Sequence, residues 1–165
     1  MLKYNLTLLC IMWFSLQLIG QTREAPPVIL KGEKLPDLLD VPVDKLAGFR
    51  FEQNAWVQIP IQIDEMDWRL AYDLYNQEIN NNFEIEMLVY TDPYKYTGPD
   101  ENTRFDSNDE LVFMAKDAGA SFTGQNWPAG VIDLPMEVRI YDPLTDQNTF
   151  VYLFQQDGSL DPAAG

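Results

Sequence analysis

Alternation of period two dominates the chain. In Ala55-Trp56-Val57-Gln58-Ile59-Pro60-Ile61-Gln62-Ile63, the odd positions Val57, Ile59, Ile61 and Ile63 are β-branched and apolar, while Gln58 and Gln62 take the other face. That is the spacing of a half-buried strand. Pro60 cannot donate to a ladder, which places the strand at a sheet edge or at a bulge. Gly48-Phe49-Arg50-Phe51 precedes it across Glu52-Gln53-Asn54, and the two runs predict a hairpin. A second strand is predicted over 83–90, with Phe83, Ile85, Met87 and Val89 inward and Glu84 and Glu86 toward water. Leu111-Val112-Phe113-Met114-Ala115 is apolar on both faces, as a central strand between two layers would be. Residues 136–141 and 150–154 predict a closing hairpin around Asp142-Pro143, since Asp-Pro initiates turns. Only 64–75 departs from this pattern: Met66, Leu70 and Leu74 are spaced by four and predict one short helix.

Several short strands joined by turn chemistry predict an all-β fold, an antiparallel β-sandwich whose two inner faces share one core. A single domain over 46–165 is expected, preceded by an extended N-terminal arm over 21–45, where Pro26, Pro27, Pro36 and Pro42 disfavour helix. Residues 1–20 combine Lys3, an apolar run from Leu6 to Leu16 and the small Gly20, the three parts of a signal peptide. The run is shorter than the ~20 residues that cross a bilayer. The mature chain is therefore expected to have no transmembrane segment and to be secreted, extracellular or part of the cell envelope. The sequence ends soon after a strong strand, which is consistent with the front part of a longer polypeptide.

Charge and composition narrow the chemistry. Lysine and arginine number 11 against 26 aspartates and glutamates, a net charge of −15. Such a field repels nucleic acid and anionic lipid and favours cations. Loss of the leader would remove the only cysteine, Cys10, so the mature chain could form no internal disulfide. The chain has no histidine. Ser-His-Asp and Cys-His catalysis are thereby excluded, as are imidazole or thiolate sites for zinc, copper and iron. No glycine-rich phosphate loop or dinucleotide fingerprint is present.

Carboxylate, amide and aromatic chemistry remains. The connection from Tyr90 to Glu110 exceeds the ~12–15 residues beyond which loops tend to be functional, ion-bound or disordered. Asp100, Asp106, Asn108 and Asp109, with Asp117 after the third strand, offer hard oxygens to calcium, which takes roughly 6–8 of them with flexible geometry. Leu111 stands where a helix-loop-helix calcium motif needs glycine, so that motif is rejected, and a looser calcium loop is a candidate beside the plainer expectation of a solvated acidic loop. Asp157, Ser159 and Asp161 repeat the alternate spacing but read better as a turn.

Trp127, in a loop of turn formers, and Tyr94 and Tyr96, in the acidic connection, are candidates to stack on a sugar. Trp56 and Trp68 are expected in the core. Glu84 and Glu86 would stand about 7 Å apart on a strand, within the range of paired glycosidase carboxylates. Every alternate pair of acids on a strand shares that distance, so a solvated face is the simpler expectation.

The blocks Trp56 to Glu65, Tyr90-Thr91-Asp92-Pro93 through Asp109-Glu110-Leu111-Val112-Phe113-Met114-Ala115-Lys116-Asp117-Ala118-Gly119, and Ile140-Tyr141-Asp142-Pro143 together resemble exported bacterial proteins that carry no assigned activity. The resemblance spans most of the mature chain. It implies a secreted or envelope location and transfers no functional residues. The leading expectation is a non-catalytic β-sandwich module for binding or assembly, stabilised by calcium, with a polysaccharide or an envelope protein as partner. A carbohydrate-binding module is the second expectation and a carboxylate glycoside hydrolase the third.

Overall fold

The computed structural model describes residues 26–74 and 85–165. The leader at 1–20, the start of the arm, Phe83 and Glu84 lie outside the described residues. Nine strands follow in chain order: β1 (Pro27–Lys31), β2 (Leu46–Glu52), β3 (Ala55–Ile59), β4 (Gln62–Asp64), β5 (Met66–Leu70), β6 (Glu86–Tyr90), β7 (Glu110–Met114), β8 (Met136–Asp142) and β9 (Gln147–Gln155). They form a three-stranded sheet, β1-β7-β4, a four-stranded sheet, β3-β2-β9-β8, and a two-stranded ribbon, β5-β6. All pairings are antiparallel. The fold is an all-β antiparallel sandwich.

The strongest sequence strand divides at Pro60. Its first half, β3, is an edge of the four-stranded sheet and its second half, β4, an edge of the three-stranded one. A residue without an N–H is tolerated where the chain leaves one ladder for another. The β2–β3 hairpin turns through Gln53 (φ 50°) and Asn54 (φ 62°), two successive left-handed residues of the kind that match strand twist in tight hairpins. β7 is the central strand of its sheet, as its two apolar faces predict.

One core lies between the sheets. Leu111 and Phe113 of β7 meet Leu46, Ile59, Val151 and Leu153 of the opposite sheet, with Val28, Leu30, Met136, Val138 and Ile140 around them. Full burial of each large apolar side chain contributes about 1.5–3 kcal/mol. A second cluster covers the other face of the four-stranded sheet, where Phe49, Tyr152 and Phe154 pack under Trp56, Phe122, Trp127 and Val131. That sheet is therefore apolar on both sides, with the irregular segment after β7 serving as its outer cover.

Expectations over 64–75 and 83–90 are corrected. The segment 64–75 is strand over most of its length, and helix is confined to the single turn α1 (Ala71–Leu74). Pairing of β5 with β6, Trp68 opposite Leu88 and Leu70 opposite Glu86, supplies the backbone partners that a helix would have found internally. Within 83–90, Ile85 and Met87 are exposed rather than inward, and so is Trp68, at 55%. The ribbon buries little of its apolar surface because no third layer lies on it among the described residues. Residues 27–45 are built onto the sandwich: β1 joins β7, and the 3-10 turns that follow place Leu35, Leu38 and Val41 in the core.

Gln156 closes the structure. Its buried amide donates to the carbonyls of Asp44 at 2.7 Å and Leu160 at 2.9 Å, while its oxygen accepts from the N–H of Gly158 at 2.7 Å and of Leu160 at 3.1 Å. Truncation would strand four backbone groups at once. Gln156→Ala is expected to destabilise by about 2–4 kcal/mol, read as a lower denaturant midpoint at unchanged slope. An unchanged midpoint would show that the C-terminal turn is held by other contacts.

Candidate functional site

The acidic connection is built from short side-chain to backbone bonds. Asp100 Oδ1 accepts from Asn102 N at 2.8 Å, Asn102 Oδ1 from Arg104 N at 3.2 Å and Asp106 Oδ1 from Asn108 N at 3.0 Å. Each is the local turn that Asp and Asn favour over regular structure. Asp106 Oδ2 also accepts from the Asn102 amide at 3.0 Å. The loop is thus ordered by the residues that give it its charge.

Asp109 anchors the connection to the sandwich. Its side chain is wholly buried. Oδ1 accepts from Met66 N at 2.9 Å and Oδ2 from Asp106 N at 2.9 Å. On the far side, Gly32 N donates to the Asp109 carbonyl at 2.8 Å and Glu33 N to that of Ser107 at 3.1 Å. A Cβ at Gly32 would lie 1.7 Å from the Asp106 carbonyl oxygen, so only glycine lets the N-terminal turn abut the loop this closely.

Glu65, at the junction of β4 and β5, completes the cluster. Its backbone carbonyl accepts from Thr91 N at 3.0 Å and from Thr91 Oγ1 at 3.1 Å. Its carboxyl is held above the ordinary glutamate value of 4.5 by desolvation first, then by the negative charges of Asp100, Asp109 and Asp106. Asp109 is raised chiefly by burial, against the lowering effect of its two backbone donors. Burial likewise dominates the upward shift of Asp100, which Arg69 and the Asn102 N–H partly oppose. Arg69 pairs with Asp67 at 2.9 Å and donates to the Pro99 carbonyl at 2.9 Å, fastening the ribbon to the connection.

Three oxygens in this region, Glu65 Oε1, Asp100 Oδ2 and Asn108 Oδ1, are sealed from solvent and receive no hydrogen bond. Buried polar atoms of this kind normally have partners. Beside Glu65, an open recess of about 300 Å³ is lined by Ile63, Asp64, Tyr90 and Thr91, and Tyr90 donates to the buried Glu110 at 2.8 Å.

The predicted site residues separate into groups. Asp100, Asp106, Asn108 and Asp109 are brought together, with Glu65 added from a distant strand junction. Asp117 is elsewhere: it lies in the 3-10 turn after β7 and faces the Arg50 guanidinium at 3.9 Å. Asp157 and Asp161 make turn bonds to Ser159 N and Ala163 N. Trp127 packs against Phe122, Trp56 and Phe154 with ring centroids 5.4 to 6.0 Å apart, so its ring belongs to the second core. Tyr94 and Tyr96 stand 92% and 80% exposed in a small turn closed by Asp92 N to Gly98 O at 2.8 Å. Glu86 is exposed on the ribbon, opposite Leu70.

Among the described residues, no helix is long and apolar enough to cross a membrane. No protein-family model, curated protein or solved structure matches the chain.

The raised carboxyls have a consequence for stability. A carboxyl whose folded pKa exceeds its unfolded value stabilises the fold fully below the unfolded value, and that contribution is lost as pH rises through the folded one. For Glu65 the loss begins near 4.5 and for Asp100 and Asp109 near 3.8. In chelator, Glu65→Gln is expected to raise the thermal midpoint at pH 7 and to flatten its pH dependence above 4.5. A midpoint that falls at pH 7, or keeps its slope, would contradict this account.

Proposed function

We propose that the chain is a non-catalytic exported β-sandwich module for binding or assembly, with calcium bound at the acidic connection. The observation that carries the reading is the set of three sealed, unpartnered oxygens, one each from Glu65, Asp100 and Asn108, beside the buried Asp109 and the half-buried Asp106. Hard oxygen donors of mixed carboxylate and amide type suit calcium better than any softer metal. As they stand, no three acidic side chains among the described residues converge at coordination distance. Binding therefore requires rotation of carboxylates that now repel one another. Glu65, Asp100 and Asn108 would hold the ion, which would supply the charge compensation that Arg69 provides only in part.

Calcium present at 100 times its dissociation constant stabilises by about 2.7 kcal/mol, or about 5–11 °C for a chain of this size. That increment is expected at neutral pH, is expected to shrink as protons compete toward pH 5, and is expected to be lost in Glu65→Gln and Asp100→Asn. Melts that coincide in calcium and in chelator would remove the reading.

The exposure of Tyr94 and Tyr96 favours a second reading, in which a polysaccharide is the partner, since nearly bare rings can stack on a sugar face. Glycan binding abolished by Tyr94→Ala with Tyr96→Ala, and indifferent to calcium, would support it. Retention of binding in that double variant would place the contact on other residues.

A further inference from the structure

We propose that β8 is a self-association edge, through which two copies of the chain join their four-stranded sheets about a two-fold axis. β8 ends the order β3-β2-β9-β8 and pairs only with β9 among the described residues. No other backbone group of the described residues bonds to it. At seven residues it is the longest free edge among the described residues, against five for β1, β3, β5 and β6 and three for β4. Proline does not interrupt it. Such an edge presents unpaired N–H and C=O groups to any matching strand.

The side chains of β8 select both partner and register. Met136, Val138 and Ile140 point to the core and are half-buried, while Glu137, Arg139 and Tyr141 are exposed on the opposite face. In a two-fold antiparallel pairing centred on Val138, Glu137 of each copy faces Arg139 of the other, and Met136 faces Ile140. The apolar row thereby becomes continuous across the joint. Moving the centre to 137 opposes two glutamates, and moving it to 139 opposes two arginines. Opposite charges directly across strands stabilise and like charges destabilise, so the sequence favours one register over its two same-face neighbours. Charges on an edge ordinarily discourage pairing; these two form a self-complementary couple. Arg139 makes no ion pair among the described residues, although the chain carries a net charge of −15. The contact is isologous and closes at two copies.

Sedimentation equilibrium over a range of protein concentrations, at low and high salt, tests this. A monomer–dimer equilibrium weakened by salt is expected. Glu137→Arg and Arg139→Glu, each alone, turn two opposed pairs from attraction to repulsion and are expected to weaken association roughly tenfold. Mixing the two variants restores opposite charges at both positions, so the mixture is expected to dimerise where neither variant does alone. Recovery on mixing also shows that both variants are folded, and circular dichroism of each provides a separate check. A monomer at every concentration, a dimer indifferent to the single reversals, no recovery on mixing of folded variants, or an assembly larger than two would each overturn the proposal. None of these outcomes bears on calcium, which is assayed separately by melting.

Discussion

The structure turns on one buried carboxylate. Asp109 has no exposed surface and sits immediately before β7, the strand at the centre of its sheet. Its two oxygens receive the N–H groups of Met66 and Asp106, and its carbonyl receives that of Gly32. Three segments remote in sequence, the N-terminal turn, the entry to the ribbon and the acidic loop, are thereby fixed to one residue. Burying an ionised carboxylate is costly unless its lone pairs are used, and Asp109 meets that condition with backbone donors rather than with a basic side chain. Burial still raises its pKa on balance, and the acids drawn toward it, Glu65 among them, are raised by burial and by mutual repulsion.

That repulsion separates a site from mere acidity. Many of the acids serve local turns or exposed positions, and Asp117 is faced by Arg50. Charge excess alone thus says little about ligands. What distinguishes Glu65, Asp100 and Asn108 is that each has one oxygen shielded from solvent that receives no hydrogen bond from the protein, and the Arg69 Nε–H is likewise buried and unpartnered. A solvated acidic loop would leave those oxygens wet. The ribbon leans on the same place through Arg69, whose fixed positive charge lowers Asp100 but does not figure among the influences on Glu65.

Much of the fold was legible because alternation is a property of the strand itself. The central position of β7, the edge character enforced by Pro60 and the closing hairpin all follow from side chains acting on their own backbone. The failures share a cause. Met66, Leu70 and Leu74 have helical spacing, but which backbone partner they use is decided by residues 86–90, far along the chain. Trp68 was expected inside because tryptophan usually is, yet the ribbon has little above it. Trp127 looked like a surface ring because its neighbours in sequence are turn formers, and only the fold reveals that Trp56 and Phe154 wait beneath it. In the candidate site, the contiguous acids from Asp100 to Asp109 could be grouped by sequence, while Glu65 could not. The available signal was faint: an Asp64-Glu65 pair at the point where the clearest strand loses its alternation.

A chain without internal disulfides must hold its long connection by other means, and the physical alternatives differ in reach. Packing secures the two clusters of the sandwich, but the connection from β6 to β7 is mostly polar and contributes Phe105 as its one fully buried apolar side chain. Short turn bonds order it locally without tying it to anything distant. Asp109 supplies one tie. A divalent cation shared by Glu65 and the loop would supply a second that acts across the same gap, replacing with attraction the repulsion that Asp100, Asp109 and Asp106 exert on Glu65. Such a tie would depend on the medium: strong where calcium is plentiful and weak where it is scarce or protons compete. That dependence would make the geometry of the ribbon responsive to calcium and to pH.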